Sequence, residues 1–255
     1  VSIVSETIPA AYPADGWDIA VLDEVDSTNT LAGRKPAWTA LRAHTQTGGR
    51  GRTRDRRWVS DSGGLWLSAV LPCPGPRTAW EILPLAAGWA VLDALRELGV
   101  SGARLRWPND VMVGRGKLAG LLVERYTAET AVVGIGLNVF NHPERAAADL
   151  AGQTVRLADL VPGDQNLDAV MRVVLRSLRE AHETVLGPGF GVIADELNRA
   201  WKEPRRVEVT LQGQTEPLVG QFHGVDLQGR LRLTVKGRAP AYYDATQVAL
   251  LRELA

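Results

Sequence analysis

Residues 104–125 read RLRWPNDVMVGRGKLAGLLVER, and residues 131–139 read AVVGIGLNV. Four short runs, 104–107, 111–113, 118–125 and 131–139, are apolar or β-branched and are separated by turn residues, so each reads as a strand. No helical period interrupts them. This succession predicts an α+β fold on a mixed sheet rather than a regular alternation of strand and helix. Immediately upstream, 78–98 carries apolar residues at helical spacing and ends at Gly99, with Pro84 predicting a break after the first turn.

Working outward, 17–25 alternates as a strand, and Asp26, Ser27, Thr28 and Asn29 are N-cap candidates for a short helix. Residues 39–45 and 65–71 read as strands on either side of an arginine-rich loop, the second ending at Pro72. Downstream, 167–186 and 190–201 are amphipathic helix candidates divided by Gly187, Pro188 and Gly189. Beyond Glu203 and Pro204 only short strands remain, with turns near Gln212 and Gly213 and near Gln228 and Gly229. The expected organisation is one domain over 1–203 and a small β-barrel over 204–255. There is no internal repeat and no low-complexity linker.

Of the 255 residues, 45% are hydrophobic and 23% charged, a balance that supports a packed core. The 29 basic and 29 acidic residues cancel, so no global field draws the chain to nucleic acid or anionic lipid, and any charge-based function must be local. A single cysteine, Cys73, excludes an internal disulfide and fits a reducing compartment; the four histidines are scattered without zinc spacing. With no membrane-length apolar run and no signal-like N-terminus, a cytoplasmic protein is expected.

Between Gly48 and Trp58, the arginines Arg50, Arg52, Arg54, Arg56 and Arg57 accompany one carboxylate, Asp55. Glycine lets backbone amides approach an anion, and guanidinium forks match carboxylate and phosphate oxygens. The composition fits a small-molecule phosphate site, a solvated basic loop or a nucleic-acid patch. A P-loop is excluded because no Gly-Lys-Ser/Thr ending follows. Asn109 and Asp110 follow Pro108, either as an ordinary turn or as an amide and carboxylate able to orient a nucleophile or a magnesium ion. Lys117, one of four lysines with Lys35, Lys202 and Lys236, begins an apolar strand and is either a solvated hairpin residue or a functional cation. Gly134, Gly136 and Asn138 share a strand face by alternation, leaving room for a ligand or for close backbone packing.

In their order, Val25-Asp26-Ser27-Thr28-Asn29, Gln46-Thr47-Gly48-Gly49-Arg50-Gly51-Arg52, Arg106-Trp107-Pro108-Asn109-Asp110, Gly116-Lys117-Leu118-Ala119-Gly120-Leu121-Leu122-Val123-Glu124 and Gly134-Ile135-Gly136-Leu137-Asn138 closely resemble the biotin-protein ligases in their monofunctional form. The resemblance runs from about Val21 to the C-terminus. It implies a mixed-sheet catalytic domain like that of class II aminoacyl-tRNA synthetases, followed by an SH3-like β-barrel. It also implies an activity: biotin is activated by ATP to biotinyl-5′-AMP and passed to a lysine of a biotin carboxyl carrier protein, of acetyl-CoA carboxylase or a related carboxylase.

By the same resemblance Ser27, Thr28, Asn29 and Gln46 would contact the biotin head, with Gly49, Gly120, Gly134 and Gly136 shaping its site. Arg50, Gly51 and Arg52 would close over its carboxylate, and Lys117 would touch both substrates. Trp58, Asn109 and Asn138 would border ATP together with Arg52 and Lys117, and the Asp110 region would receive Mg2+. Arg50, Arg52 and Lys117 supply positive charge for the first step, while Asp110 is a candidate to orient or deprotonate the acceptor amine. Three departures stand out: the interval from Arg52 to Trp58 is one residue longer than usual and lacks a common glycine, Arg106 replaces a frequent lysine, and no helix-turn-helix segment precedes the domain. No DNA or membrane partner is therefore expected, and a homodimer is possible in this family. The rival readings are a lipoate or octanoate ligase or transferase, a nucleic-acid-binding module, and a non-catalytic biotin binder.

Overall fold

A computed structural model describes residues 10–53, 57–163, 165–201 and 204–254. Arg54, Asp55 and Arg56 of the arginine loop, and Lys202 and Glu203 at the expected domain boundary, lie outside the described residues.

Eight strands form one sheet: β1 (Ala10–Ala14), β2 (Trp17–Val25), β3 (Thr39–Gln46), β4 (Leu65–Pro72), β5 (Ala103–Arg106), β6 (Asp110–Val113), β7 (Gly116–Glu124) and β8 (Thr130–Leu137). Their spatial order is β1-β2-β3-β4-β8-β7-β6-β5. Each neighbouring pair is antiparallel except β2 and β3. A parallel pair needs a crossover, and the segment carrying the short helix α1 (Thr28–Ala32) supplies it. The sheet is therefore mixed because of one connection, and that connection carries the Ser27-Thr28-Asn29 motif to the upper end of β3.

The remaining helices are α2 (Leu83–Glu97), α3 (Pro143–Ala146), α4 (Leu157–Leu160), α5 (Leu167–Leu186) and α6 (Phe190–Ala200). The expected break at Pro84 is the start of α2: Arg77–Trp80 forms a separate 3₁₀ turn, and Pro84 occupies the first turn of the helix, where its missing N–H costs nothing. Gly88 faces the sheet so closely that an added Cβ would lie 2.7 Å from Leu105. Helix α5 begins at Asn166, whose side chain accepts from the Asp168 and Ala169 amides, and buries Val170, Met171, Val174, Leu175, Leu178 and Ala181 at helical spacing. With α2 and α5 on one face and α1 on the other, β4 is buried along nearly its whole length, and its continuous apolar run follows from that.

The second sheet holds β9 (Arg205–Leu211), β10 (Leu218–Val225), β11 (Leu231–Val235), β12 (Ala241–Tyr243) and β13 (Val248–Glu253), antiparallel in the order β12-β11-β10-β9-β13. Its turns fall where Gly213 and Gly229 take positive φ. Polar clasps join it to the first sheet. The Trp107 indole donates to the Gly229 carbonyl at 3.1 Å, and the Arg104 guanidinium grips both carboxylate oxygens of Glu253 at 2.6 and 2.5 Å. The apolar core is continuous from Trp17 through α2 and α5 to Val248 and Leu251. No helix among the described residues is long and apolar enough to cross a membrane.

Candidate active site

A cavity of about 640 Å³ opens over β4, β8 and β7, beneath the arginine loop, with β13 of the second sheet forming part of its wall. Of the residues nominated from sequence, Ser27, Thr28, Asn29, Gln46, Arg50, Gly51, Arg52, Trp58, Asn109, Asp110, Lys117, Gly120, Gly134, Gly136 and Asn138 all line it. Gly49 is not among the lining residues. An added Cβ there would come within 2.4 Å of the Trp58 carbonyl oxygen and 2.6 Å of Ser60 Oγ, so Gly49 serves close backbone packing behind the loop.

One end of the cavity is neutral and internally wired. Gln46 Oε1 accepts from the Thr28 amide at 2.8 Å and from its hydroxyl at 3.0 Å, and Gln46 Nε2 donates to Ser60 Oγ at 2.9 Å. Ser68, fully buried in the middle of β4, lies 2.6 Å from Asn29 Oδ1 and 2.7 Å from Thr28 Oγ1. Asn29 Nδ2 donates to the Leu122 carbonyl at 3.1 Å and to Glu124 Oε2 at 2.8 Å. Both Asn29 donors are thus in use, which makes its amide a support rather than a free hand. Ser27 caps α1 by position, yet its hydroxyl makes no capping bond, and the residue lines the cavity. This end presents fixed hydrogen-bonding groups to a polar, uncharged partner.

The floor is made smooth by glycine. Gly120 and Gly136 are cross-strand partners, and an added Cβ would lie 2.7 Å from the Trp58 ring at the first and 2.5 Å at the second. The Trp58 indole therefore rests directly on the sheet. Gly134, one step along the same face, lies under Asn29, where an added Cβ would be 2.3 Å from Oδ1.

The other end is cationic. Asp110 receives Lys117 Nζ on Oδ1 at 2.6 Å and Arg106 Nη2 on Oδ2 at 2.6 Å, and Lys117 Nζ also sits 4.9 Å from the centre of the Trp58 ring. Burial alone would raise the Asp110 carboxyl, but the Lys117 and Arg106 charges overcome it and hold the group below the ordinary carboxylate range. The backbone of Lys117 is pinned as well. Its N–H donates to the Gln153 carbonyl at 2.8 Å, its carbonyl accepts from Val155 N–H at 3.2 Å, and Asn138 Nδ2 reaches the same carbonyl at 3.2 Å. Asn138 Oδ1 in turn accepts from Asn141 at 3.0 Å, so Asn138 acts here as a brace. Asn109 braces β7 by donating to the Leu121 carbonyl at 2.7 Å.

The loop is fastened at two points. Arg50 Nη2 reaches Glu124 Oε2 at 2.7 Å and Tyr126 Oη at 3.0 Å, whereas Arg52 donates to the carbonyls of Ala245 at 2.8 Å and Ala249 at 3.1 Å in the second sheet. Burial would lower the Arg50 value, but the Tyr126 hydroxyl and the Glu124 charge raise it, so its charge is held firmly.

Known proteins resemble this chain in sequence and fold. Residues 24–139 match the Biotin/lipoate A/B protein ligase family. The chain is 35% identical over 238 residues to the biotin–[acetyl-CoA-carboxylase] ligase of Mycobacterium tuberculosis, covering 88% of this chain and 86% of that ligase. The chain belongs to the biotin protein ligases. It is also 32% identical over 234 residues to the bifunctional ligase/repressor BirA of Escherichia coli, spanning 88% of this chain and 71% of that protein. Among solved structures, the Aquifex aeolicus biotin protein ligase in complex with biotin and ATP superposes with a TM-score of 0.79 at 26% identity, over 92% of this chain and 99% of that one. The α+β architecture with its second, all-β sheet is that of biotin protein ligases.

Two features of this biotin protein ligase escaped sequence reasoning. Ser68 is a lone hydroxyl in an otherwise apolar strand, which is itself the signal that could have found it; Glu124 was quoted within a motif but given no task. The magnesium expected near Asp110 meets a poor donor set. Both carboxylate oxygens already hold cations, and no group of three or more acidic, histidine or cysteine side chains among the described residues could hold a metal. The described residues do not fit a resident magnesium ion.

Proposed function

We infer that the chain joins biotin to ATP and passes the biotinyl group to a lysine of a biotin carboxyl carrier protein such as that of acetyl-CoA carboxylase. One observation carries this reading: a single cavity has a closed network of neutral hydrogen-bonding groups at one end and the Lys117–Asp110–Arg106 cluster at the other. A molecule with a ureido head and a carboxylate tail matches both ends. In the first step a biotin carboxylate oxygen attacks the α-phosphorus, the bond to the bridging oxygen of pyrophosphate breaks, and pyrophosphate leaves. Two anions must meet, so Lys117 offsets their repulsion, with the arginine loop closing above. Magnesium, where required, would enter with the nucleotide and would offset the charge of its phosphates.

In the second step the acceptor amine nitrogen attacks the biotinyl carbonyl carbon, the bond to the phosphate oxygen breaks, AMP departs, and the nitrogen loses a proton. A carboxyl held below its ordinary value is a weak base, so Asp110 fits orientation of Lys117 and the amine better than proton removal. Trp58, resting on Gly120 and Gly136, offers a face on which adenine stacks once the ring turns outward. On this reading 1–203 is the catalytic domain, and 204–255 an SH3-like appendage that closes one wall.

The test is direct: purified protein, biotin and magnesium-ATP should yield biotinyl-5′-AMP, and a carrier domain added next should become biotinylated. Lipoate has no ureido head to match the polar end, so it should be turned over far more slowly than biotin. Equal turnover of lipoate would refute the reading.

A further inference from the structure

The polar network at the neutral end does not stop at the cavity wall. It continues through Glu124, at the last position of β7, to the arginine loop on the far side. One oxygen, Oε2, accepts three donors: Asn29 Nδ2 from below at 2.8 Å, Arg50 Nη2 from the loop at 2.7 Å, and Tyr126 Oη from the adjoining turn at 3.3 Å. The Arg50 side chain is 42% exposed and that of Glu124 29%, so as an isolated surface pair they would contribute little. Sharing the oxygen with a buried amide changes that. Asn29 is 4% exposed, its other N–H is committed to the Leu122 carbonyl, and its oxygen is held by Ser68, so the Glu124 carboxylate has a fixed address to which Arg50 can return.

We propose that Glu124 is a positioning residue for the ligase reaction, a catch that couples the buried Asn29 amide to Arg50 and so holds the Arg50 side chain in place at the polar end of the cavity. This rests on the reading of the cavity as a biotin site. Glu124 is not among the cavity-lining residues and acts only through its partners. Its effect is confined to substrate retention because the cations of the reacting end have their own anchor: Lys117 and Arg106 are held by Asp110, and Arg52 by the second sheet. Loss of the catch therefore removes binding that is equal in the ground state and the transition state, which raises KM without lowering kcat.

Glu124→Ala removes the acceptor from both Asn29 and Arg50, whereas Glu124→Gln keeps an uncharged oxygen for each. In biotin-dependent pyrophosphate release, Glu124→Ala should raise the biotin KM and speed biotin dissociation by roughly tenfold or more, the range for losing charge-assisted contacts. Its kcat and ATP KM should stay within about threefold of wild type. Glu124→Gln should recover a large part of the biotin affinity. Should Glu124→Ala fail to fold, Glu124→Gln against wild type still shows the biotin-only shift, by about threefold. Biotin constants unchanged in both variants, or kcat falling in step with kcat/KM, would overturn the proposal. Wild-type protein that forms no biotinyl-adenylate would instead refute the biotin reading beneath it, so the two failures are separable.

Discussion

At the neutral end of the cavity Thr28, Asn29, Gln46 and Ser68 bond to one another and to the backbone, whereas at the cationic end Lys117 and Arg106 both bond to a single carboxylate of the protein itself. The first end is complete before any substrate arrives, and its groups need only accept a partner of the right shape. The second is balanced by Asp110, and an arriving anion must share or replace it. Preorganised neutral groups give selectivity at little reorganisation cost, while a cation on a built-in counter-ion keeps its charge and position until chemistry requires it. On the proposed reading, selection and reaction fall to different ends of one pocket.

If that division is right, the largest single effect belongs to Lys117. Lys117→Ala should reduce biotinyl-adenylate formation by about 10²- to 10³-fold or more, the size seen when a transition-state charge partner is lost. Biotin binding measured without ATP should change far less. An unaltered adenylation rate would break the comparison at its cationic end. Glycine substitutions test the boundary between the ends. Gly134→Ala drives a methyl group into Asn29 and must disturb the Ser68 and Glu124 bonds, at about 1–3 kcal/mol, or roughly 5- to 150-fold in biotin affinity. Gly136→Ala meets the Trp58 ring instead and should change the ATP KM more than the biotin Kd. Titration calorimetry with each ligand separates them, and identical effects of the two substitutions would show that the ends are not independent.

Asp110 gives a smaller effect with a definite sign. Its carboxyl is depressed by Lys117 and Arg106, so it stabilises the folded state above its ordinary value, about 3.9, and loses that contribution as pH falls toward its lower folded value. Asp110→Asn should cost on the order of 1–3 kcal/mol in urea unfolding at pH 7. The difference from wild type should hold between pH 8 and 5 and narrow below about pH 4. A gap that widened on acidification would contradict the ion-pair account.

Much of this arrangement was legible before any coordinates. The span of α5 was readable because its apolar residues repeat at helical spacing between Asn166 and Gly187, and β2 because Trp17, Ile19 and Val21 stand in an alternating run. Segments fixed by tertiary pairing were not. β1 holds Pro13 and no strand period, yet it is an edge strand on β2, where a missing N–H is tolerated. Residues 153–155 have no strand signal and become a strap because Lys117 offers its backbone. In the site, the ordered motifs named the lining, but not the bonds behind it: Asn29 and Asn138 line the cavity and also brace neighbouring backbone, which only the fold displays. Gly49 likewise shows only in the fold how close the Trp58 carbonyl comes to it.

The smallest expected effect lies away from the cavity and shows the same contrast between a satisfied and an unsatisfied group. His182 on α5 is buried, 5.4 Å from the Trp80 ring in a stacked pair and edge-on to Trp38. Its Nε2–H donates to the Pro72 carbonyl at 2.7 Å, while Nδ1 is buried without a partner. Adding a proton would bury a second donor with nothing to receive it. Burial accordingly lowers the His182 value, against the Pro72 bond and Glu183, which raise it, and with Arg179, which lowers it further. Because the unfolded chain takes up this proton first as pH falls, stability declines below about pH 6.5. His182→Gln keeps a donor for Pro72 and cannot titrate, so its unfolding free energy should fall less steeply between pH 7 and 5 than that of wild type. Equal slopes would mean that the histidine is protonated as readily inside the fold as outside it, and that the aromatic enclosure around Nδ1 opens to water.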